Sequence, residues 1–144
     1  MKGEPRVRVS FVLPSLDGGG AERAAVTVIN AVDRERFEPE LCLFRREGDY
    51  LDQVAPHVTV RHVEGASRLR RIGALRGLFR STRPAVVMSF LSYVSVFAGA
   101  RWANQGIKFV INQQTPVSAF LGDRDYRWGE PWRRAVFEIG RAHV

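Results

Sequence analysis

Three consecutive glycines, Gly18, Gly19 and Gly20, are the residues whose type and spacing most clearly indicate chemistry. They lie between an apolar run that ends at Leu13 and an amphipathic segment that begins at Ala21. Glycine has no Cβ, so the backbone of such a turn can take positive φ and approach a ligand closely. A helix that starts there directs unpaired N–H groups and the positive end of its dipole at the same point. The pattern predicts an anion-binding turn, and the simpler alternative is a flexible loop that only permits a tight turn.

A second candidate surface lies in the segment 67–84, which combines a helical apolar repeat with many arginines and contains no acidic residue. The predicted apolar face consists of Leu69, Ile72, Leu75, Leu78 and Phe79. The arginines beside it include Arg68, Arg70, Arg71 and Arg76. A basic amphipathic helix can attach to an anionic membrane surface. Packing of the apolar face on a sheet, with a solvated basic rim, is the favoured interpretation because both faces of a parallel sheet must be covered.

Strands and helices are predicted to alternate, which is the order of a parallel sheet with helices on both faces. The predicted strands are 7–13, 37–44, 57–63, 85–90 and 108–113. The predicted helices are 21–32, 67–82 and 92–103, with a short helical turn at 49–54. Apolar and polar residues alternate in 37–44, and Pro39 removes a donor, so this strand is expected closer to an edge. The fold class is therefore α/β, and the glycine turn follows the first strand at its carboxyl end.

The composition fits one domain with a substantial core. The chain has 144 residues, and its 45% hydrophobic content excludes wholesale disorder. We expect neither a signal peptide nor a membrane span, since no apolar run approaches about 20 residues. The single cysteine, Cys42, excludes an internal disulfide and a cysteine metal site, and it fits a reducing cytoplasm. The net charge of +7 comes almost entirely from arginine, which suits phosphate recognition.

No metal site and no activated nucleophile is predicted. His57 and His62 flank a predicted strand on opposite faces, so they cannot share a metal ion. His143 lies close to the end of the chain. No Ser–His–Asp or Cys–His set can be placed, and no P-loop lysine follows the glycines.

The stretch PSLDGGGAERAAVTVINAV, residues 14–32, resembles the first strand–loop–helix unit of GT-B glycosyltransferases, in particular glycosyltransferase family 4. The resemblance continues loosely through GDYLDQV, RPAVVMSFLSYVSVFAGARWA and KFVINQQ. Members of that family have two Rossmann-like domains, of which the N-terminal one mainly holds the acceptor and the C-terminal one mainly holds the nucleotide-sugar donor. This chain resembles the N-terminal half. The resemblance implies transfer of a sugar from a nucleotide-sugar donor to a glycan or lipid-linked acceptor, with retention of anomeric configuration and with no metal or other cofactor.

The resemblance also implies roles for residues of the glycine turn. Gly18, Gly19 and Gly20 match the family loop that lies against the donor diphosphate and the acceptor in the cleft between the domains. Glu22 matches the family's GAER sequence in the first turn of the helix. A ligand-binding role and a purely capping role are about equally weighted for this carboxylate.

Further candidate residues lie at the ends of later strands. Ser89 falls where relatives often carry a histidine, so an imidazole contact with the acceptor is not expected at that position. Gln113 and Gln114 end the fifth strand, and their amides can bond sugar hydroxyls but cannot act as a general base. Asp123 lies in a loop expected to overhang the cleft, where it could contact an acceptor hydroxyl, although a solvated charge is commoner.

The ends of the chain carry expectations of their own. Residues 1–137 are expected to form the acceptor-side domain. Residues 138–144, EIGRAHV, match the translation of a widely used sequencing adapter and are interpreted as a non-native tail, with a genuine helix continuing from Trp132 as the alternative. On the first interpretation the donor-binding C-terminal domain is absent, and the chain alone is expected to be inactive. The protein is expected in the cytoplasm, with peripheral contact to the inner face of the cell membrane.

Two other classes of function stay open. A nucleotide-cofactor oxidoreductase expects G-x-G-x-x-G and usually an acidic residue after the second strand. This chain has GGGAER and the pair Arg45-Arg46, which disfavours NAD but leaves an NADP site open. A nucleic-acid-binding module would use the arginines of 68–83, but interleaved exposed aromatic residues and known reader motifs are missing. No nucleic-acid partner is therefore expected.

Overall fold

The structure, a computed structural model, describes residues 5–90, 93–104 and 106–112. Within them the strands are β1 (Val7–Leu13), β2 (Phe37–Leu43), β3 (Thr59–His62), β4 (Val86–Phe90) and β5 (Lys108–Asn112). The helices are α1 (Gly20–Ala31), α2 (Arg68–Thr82) and α3 (Tyr93–Ala103), and Leu51–Gln53 forms a single 3-10 turn. The predicted alternation is confirmed, and the predicted bounds of β1 agree with the structure. The third strand is shorter than 57–63 because the Val58 N–H bonds back to the Ala55 carbonyl at 2.9 Å, which closes a turn before the strand.

The described strands form one parallel sheet in the order β3-β2-β1-β4-β5, with β1 at the centre. The α/β class, with a Rossmann-like parallel sheet flanked by helices, is confirmed. Parallel strands end at the same edge of a sheet, which we call the carboxyl edge. Helices α1, α2 and α3 follow β1, β3 and β4, so all three begin at the carboxyl edge.

Both faces of the sheet are covered, because successive side chains of a strand point to opposite faces. On one face, alternate residues of β1 pack against α1; this cluster includes Val9, Phe11, Leu13, Ala25, Val26 and Ile29. On the other face, the sheet packs against α2 and α3; this cluster includes Val12, Cys42, Val87, Leu75, Phe79 and Val96. The glycine turn belongs to the α1 face, and the arginine-rich helix belongs to the opposite face.

Strand β2 lies one position in from the β3 edge, as its proline suggested. Pro39 is tolerated because the nitrogen of this residue would face β3, and the pairing with β3 begins only at Glu40. The alternation of β2 does not mark a solvated face, however. Glu40 is 3% exposed, and its carboxylate accepts hydrogen bonds from the Ser10 hydroxyl and from Arg61 Nε, the latter at 2.8 Å. The polar residue of the pattern is therefore buried and paired.

Candidate functional site

The glycine turn joins the central strand to α1 at the carboxyl edge. Gly18 has a φ of +90°, a conformation that favours glycine, whereas Gly19 is extended and occupies the N-cap of α1. The first N–H groups of α1, like those of any α-helix, have no acceptor within the helix, and the glycine at the N-cap offers no side chain to cap them. The predicted strand–turn–helix arrangement is confirmed. Its role as a ligand site stays a prediction.

The three glycines differ in the room that surrounds them. A Cβ on Gly18 would lie 3.0 Å from Asp49 Oδ2, and a Cβ on Gly19 would lie 2.2 Å from Glu22 Oε2. A Cβ on Gly20 would meet no atom within 4 Å. A Cβ at Gly20 therefore enters open space, and we expect a small side chain there to leave the fold intact. Gly20 is the position at which a functional role can be separated from a structural one.

The side chain of Glu22 folds back over the start of α1, so its carboxylate occupies the space above Gly19. It is the third residue of the helix after the N-cap, the position from which an acidic side chain favours the helix dipole. A phosphate that approaches these N–H groups therefore meets a carboxylate. A sugar hydroxyl does not suffer this repulsion, because it can donate to Glu22 and accept from the backbone.

The turn is held in place by the loop that follows β2, residues 44–50. Leu16 N–H bonds to the Glu47 carbonyl at 3.0 Å, and Tyr50 N–H bonds to the Leu16 carbonyl at 3.3 Å. Gly48, with a φ of +123°, lies directly against this backbone; a Cβ there would be 2.0 Å from the Leu16 carbonyl carbon and 2.5 Å from Asp17 N. Sequence reasoning did not single out Gly48. The sequence offered one indication, the stretch GDY after a buried strand. It shows that a glycine is present there, but it does not show that this glycine contacts the backbone of the glycine turn.

Side chains reinforce the same contact between the two loops. Arg45 lies 2.7 Å from the Asp17 carboxylate and 3.2 Å from that of Glu47, and it also donates to the Ser15 hydroxyl at 3.1 Å. Ser15 in turn donates to Asp17 at 2.5 Å. Arg45 is thus engaged in the loop contact, and this favours a structural role over recognition of an NADP phosphate.

The arginine-rich helix packs as a crossover helix. Ile72, Leu75 and Phe79 are buried against the sheet and α3, which supports the favoured interpretation of its apolar face. Leu69 was expected on this face, but it is 77% exposed. This part of the prediction was wrong, because Leu69 lies in the first turn of α2, before the helix reaches the buried core.

Arg71 and Arg76, which were expected in the membrane-facing rim, make contacts within the domain. Arg71 places its guanidinium carbon 5.3 Å from the centre of the Phe44 ring and donates through Nε to the Gly65 carbonyl at 2.9 Å. Arg76 donates through Nε to the Trp102 carbonyl at 3.2 Å. Arg68 and Arg70 are exposed in the first turn of α2.

Ser89 lies at the carboxyl edge but not on the face of the glycine turn. It pairs with Val12, whose side chain points to α2 and α3. Ser89 is fully buried, and its hydroxyl has no hydrogen-bond partner among the described residues. The structure therefore brings together the three glycines and Glu22, and it places Ser89 beneath the opposite helix layer.

The other candidates, Gln113, Gln114 and Asp123, lie outside the described residues. So do residues 138–144, which the sequence led us to interpret as a non-native tail. In the part of the chain that the structure describes, no group of three or more His, Cys, Asp or Glu side chains could hold a metal ion. The same residues include no helix that is long and apolar enough to cross a membrane.

Comparison with known proteins adds one similarity. No family model and no solved structure matches the chain. Over 100 residues the chain is 30% identical to a protein of Campylobacter jejuni named GalNAc-alpha-(1->4)-GalNAc-alpha-(1->3)-diNAcBac-PP-undecaprenol alpha-1,4-N-acetyl-D-galactosaminyltransferase. The match covers 62% of this chain and 27% of that protein, so the chain spans about a quarter of the length of this curated relative. By its name, the relative transfers N-acetyl-D-galactosamine to an undecaprenol-linked glycan. The parallel α/β sheet and this similarity together relate the chain to a glycosyltransferase.

Proposed function

We propose that this chain is the acceptor-side domain of a glycosyltransferase, which moves a sugar from a nucleotide-sugar donor to a lipid-linked glycan. The observation that carries the proposal is the 30% identity over 100 residues to a transferase whose named acceptor is an undecaprenol-linked glycan. The parallel sheet, with an open glycine turn after its central strand, supports it independently, because ligands of such sheets bind at the carboxyl edge.

The finer assignment is to the GT-B architecture, in particular to glycosyltransferase family 4, with retention of anomeric configuration. In this assignment residues 1–137 supply the acceptor side, and a second Rossmann-like domain supplies most of the donor site. The enzyme needs no metal or other cofactor in this assignment. Its role in building a cell-envelope polysaccharide is the corresponding biological proposal.

The glycine turn would position the acceptor. Backbone N–H groups at the start of α1 bind an oxygen of the acceptor, and the Glu22 carboxylate accepts a hydrogen bond from one of its hydroxyls. Gly48 and Arg45 keep the turn in one conformation, so these groups are oriented before the acceptor arrives. Gln113, Gln114 and Asp123 are the further proposed contacts to donor or acceptor.

The leaving group of such a transfer is the nucleoside diphosphate, and its developing negative charge must be stabilised for the sugar to depart. In this assignment the second Rossmann-like domain supplies the groups that stabilise it. The proposed enzyme also makes peripheral contact with an anionic membrane at its cytoplasmic face, through a basic rim that includes Arg68, Arg70 and Arg76. Such contact would bring the turn close to a membrane-borne acceptor.

Acceptor binding can be measured on the 144-residue chain by isothermal titration with a water-soluble, short-prenyl diphosphate-linked N-acetylhexosamine. We expect weak binding, since only one side of the cleft is present. Gly20→Val should reduce the affinity at least tenfold without changing the circular dichroism spectrum, because its side chain fills only open space. Gly73→Val, in an equally open position of α2, is the matched control and should bind like the wild type.

Equal affinities of the Gly20→Val and wild-type chains would contradict the assignment of the turn. The same purified chain, incubated with a panel of nucleotide sugars and lipid-linked acceptors, should give no transfer above background. Robust transfer by the chain alone would refute the proposed division between the two domains.

A further inference from the structure

The outer surface of the layer formed by α2 and α3 carries basic side chains and no acidic ones. Neither helix contains an aspartate or a glutamate. The exposed arginines of these two helices are Arg68, Arg70, Arg76, Arg80 and Arg101. The α1 side of the sheet differs, because α1 carries Glu22 and is followed by Asp33 and Glu35. These acidic residues balance Arg23, Arg34 and Arg36, so the net positive charge of the two helix layers lies on the side of α2 and α3.

Two large apolar side chains project from this basic layer. Leu69 is 77% exposed and Trp102 is 60% exposed. The backbone of Trp102 lies beside α2, since its carbonyl accepts a hydrogen bond from Arg76 Nε at 3.2 Å. Arg76 is seven residues, or about 10 Å, along α2 from Leu69. The two helices pack closely, since a Cβ on Gly99 of α3 would be 2.7 Å from that of Leu75 of α2.

We propose that the outer surface of α2 and α3 binds an anionic phospholipid bilayer, with Leu69 and Trp102 entering the headgroup region. Arginine heads reach the lipid phosphates while their aliphatic stems lie along the apolar boundary. An indole ring suits the same interface, because one part of it is apolar and its N–H can donate. A nucleic acid would attract the arginines but would give an isolated leucine no apolar layer to enter, so the leucine favours a bilayer.

This inference deepens the proposed function and rests on it, because membrane binding serves the enzyme only if its acceptor is lipid-linked and lies at the membrane surface. It also corrects the surface that the sequence indicated. The buried apolar face of α2 is not the contact, and Arg71 is turned toward Phe44. The contact is the outward face, on which Leu69 and Arg70 are exposed.

Co-sedimentation of the 144-residue chain with vesicles tests the proposal. We expect binding to phosphatidylcholine vesicles that contain phosphatidylglycerol, little binding to phosphatidylcholine alone, and a loss of binding as salt rises. Leu69→Ser should weaken the partition coefficient about tenfold, since much of one leucine side chain leaves the apolar layer. Val28→Ser is its matched control, because Val28 is 44% exposed on α1, and it should have no effect.

Charge placement is tested separately from total charge. The double variant Arg70→Gln/Arg80→Gln should bind about 30-fold more weakly, at roughly 1 kcal/mol for each arginine. Arg6→Gln/Arg34→Gln removes the same charge from exposed positions outside the two helices and should bind nearly as the wild type does.

Three results would overturn the proposal. The first is no binding to anionic vesicles at low salt. The second is equal binding by the Leu69→Ser and wild-type chains, together with retention on heparin or RNA, which would make the surface a general polyanion site. The third is an equal loss of vesicle binding in the two double variants, which would show that only the net charge of the chain matters. Because the assay contains no donor and no acceptor, its outcome does not depend on sugar transfer.

Discussion

Replacing Gly48 with alanine tests the contact that holds the glycine turn against the loop after β2. At a φ of +123° an alanine is strained by about 1–3 kcal/mol. Its Cβ would also lie 2.0 Å from the Leu16 carbonyl carbon and 2.2 Å from the oxygen. These are backbone atoms, so no side-chain rotation relieves the overlap.

The two loops must therefore move apart by more than about 1 Å before the contact becomes an ordinary one. That movement breaks the hydrogen bonds between Leu16 and Glu47 and between Leu16 and Tyr50, each worth about 0.5–1.5 kcal/mol. Together with the backbone strain, the expected loss in the free energy of unfolding is about 3–4 kcal/mol. For a domain of this size such a loss lowers Tm by about 10 °C.

Urea unfolding followed by far-ultraviolet circular dichroism measures this loss. Gly73→Ala is the control, because Gly73 lies within α2 with nothing near its Cβ position, and it should gain up to about 1 kcal/mol. A Gly48→Ala chain within about 0.5 kcal/mol of the wild type would refute the argument that this glycine is required by backbone contact.

Three further predictions concern the core. Arg61→Ala should reduce stability by about 2 kcal/mol in urea unfolding, because the buried Glu40 carboxylate loses its charged partner; an unchanged midpoint would contradict this. Burial raises the pKa of the Cys42 thiol far above its usual range, and the charge of Glu40 adds to the effect, so little reactive thiolate is present. Iodoacetamide at about pH 8.5 should therefore leave the native chain unmodified by mass spectrometry and label it after unfolding; rapid labelling of the native chain would show that the site is open. Gly99→Ala should destabilise the chain by about 1–2 kcal/mol through overlap between α2 and α3, whereas Gly77→Ala should stabilise it; equal effects would show that the helices are not closely packed.

Much of the fold follows from local patterns. The bounds of β1 were predicted from a short apolar run that ends before a glycine turn, and both flanking features are local. The pairing of Glu40 was not predicted, because its partners Ser10 and Arg61 are 30 and 21 residues away. An alternating strand looks the same whether its polar residue meets water or a buried arginine.

The candidate site shows the same limit. The spacing of the glycines predicted the turn, but which glycine needs positive φ and which faces open space depends on Glu22 and on the loop of Gly48. Helical spacing likewise placed Leu69 with the apolar residues of α2. Spacing shows which residues share a face, but it does not show how far the neighbouring layer extends.

The measurement that tests the central claim most directly is sugar transfer by a protein in which the proposed donor-binding domain follows this chain. Radiolabelled nucleotide sugars and a polyprenyl diphosphate-linked glycan supply donor and acceptor. We predict a lipid-linked product from the wild-type protein, and a rate lower by about a hundredfold for a well-folded Gly20→Val variant, because the acceptor is displaced from the turn. Absence of product with every donor, or wild-type turnover by the Gly20→Val variant, would contradict the account.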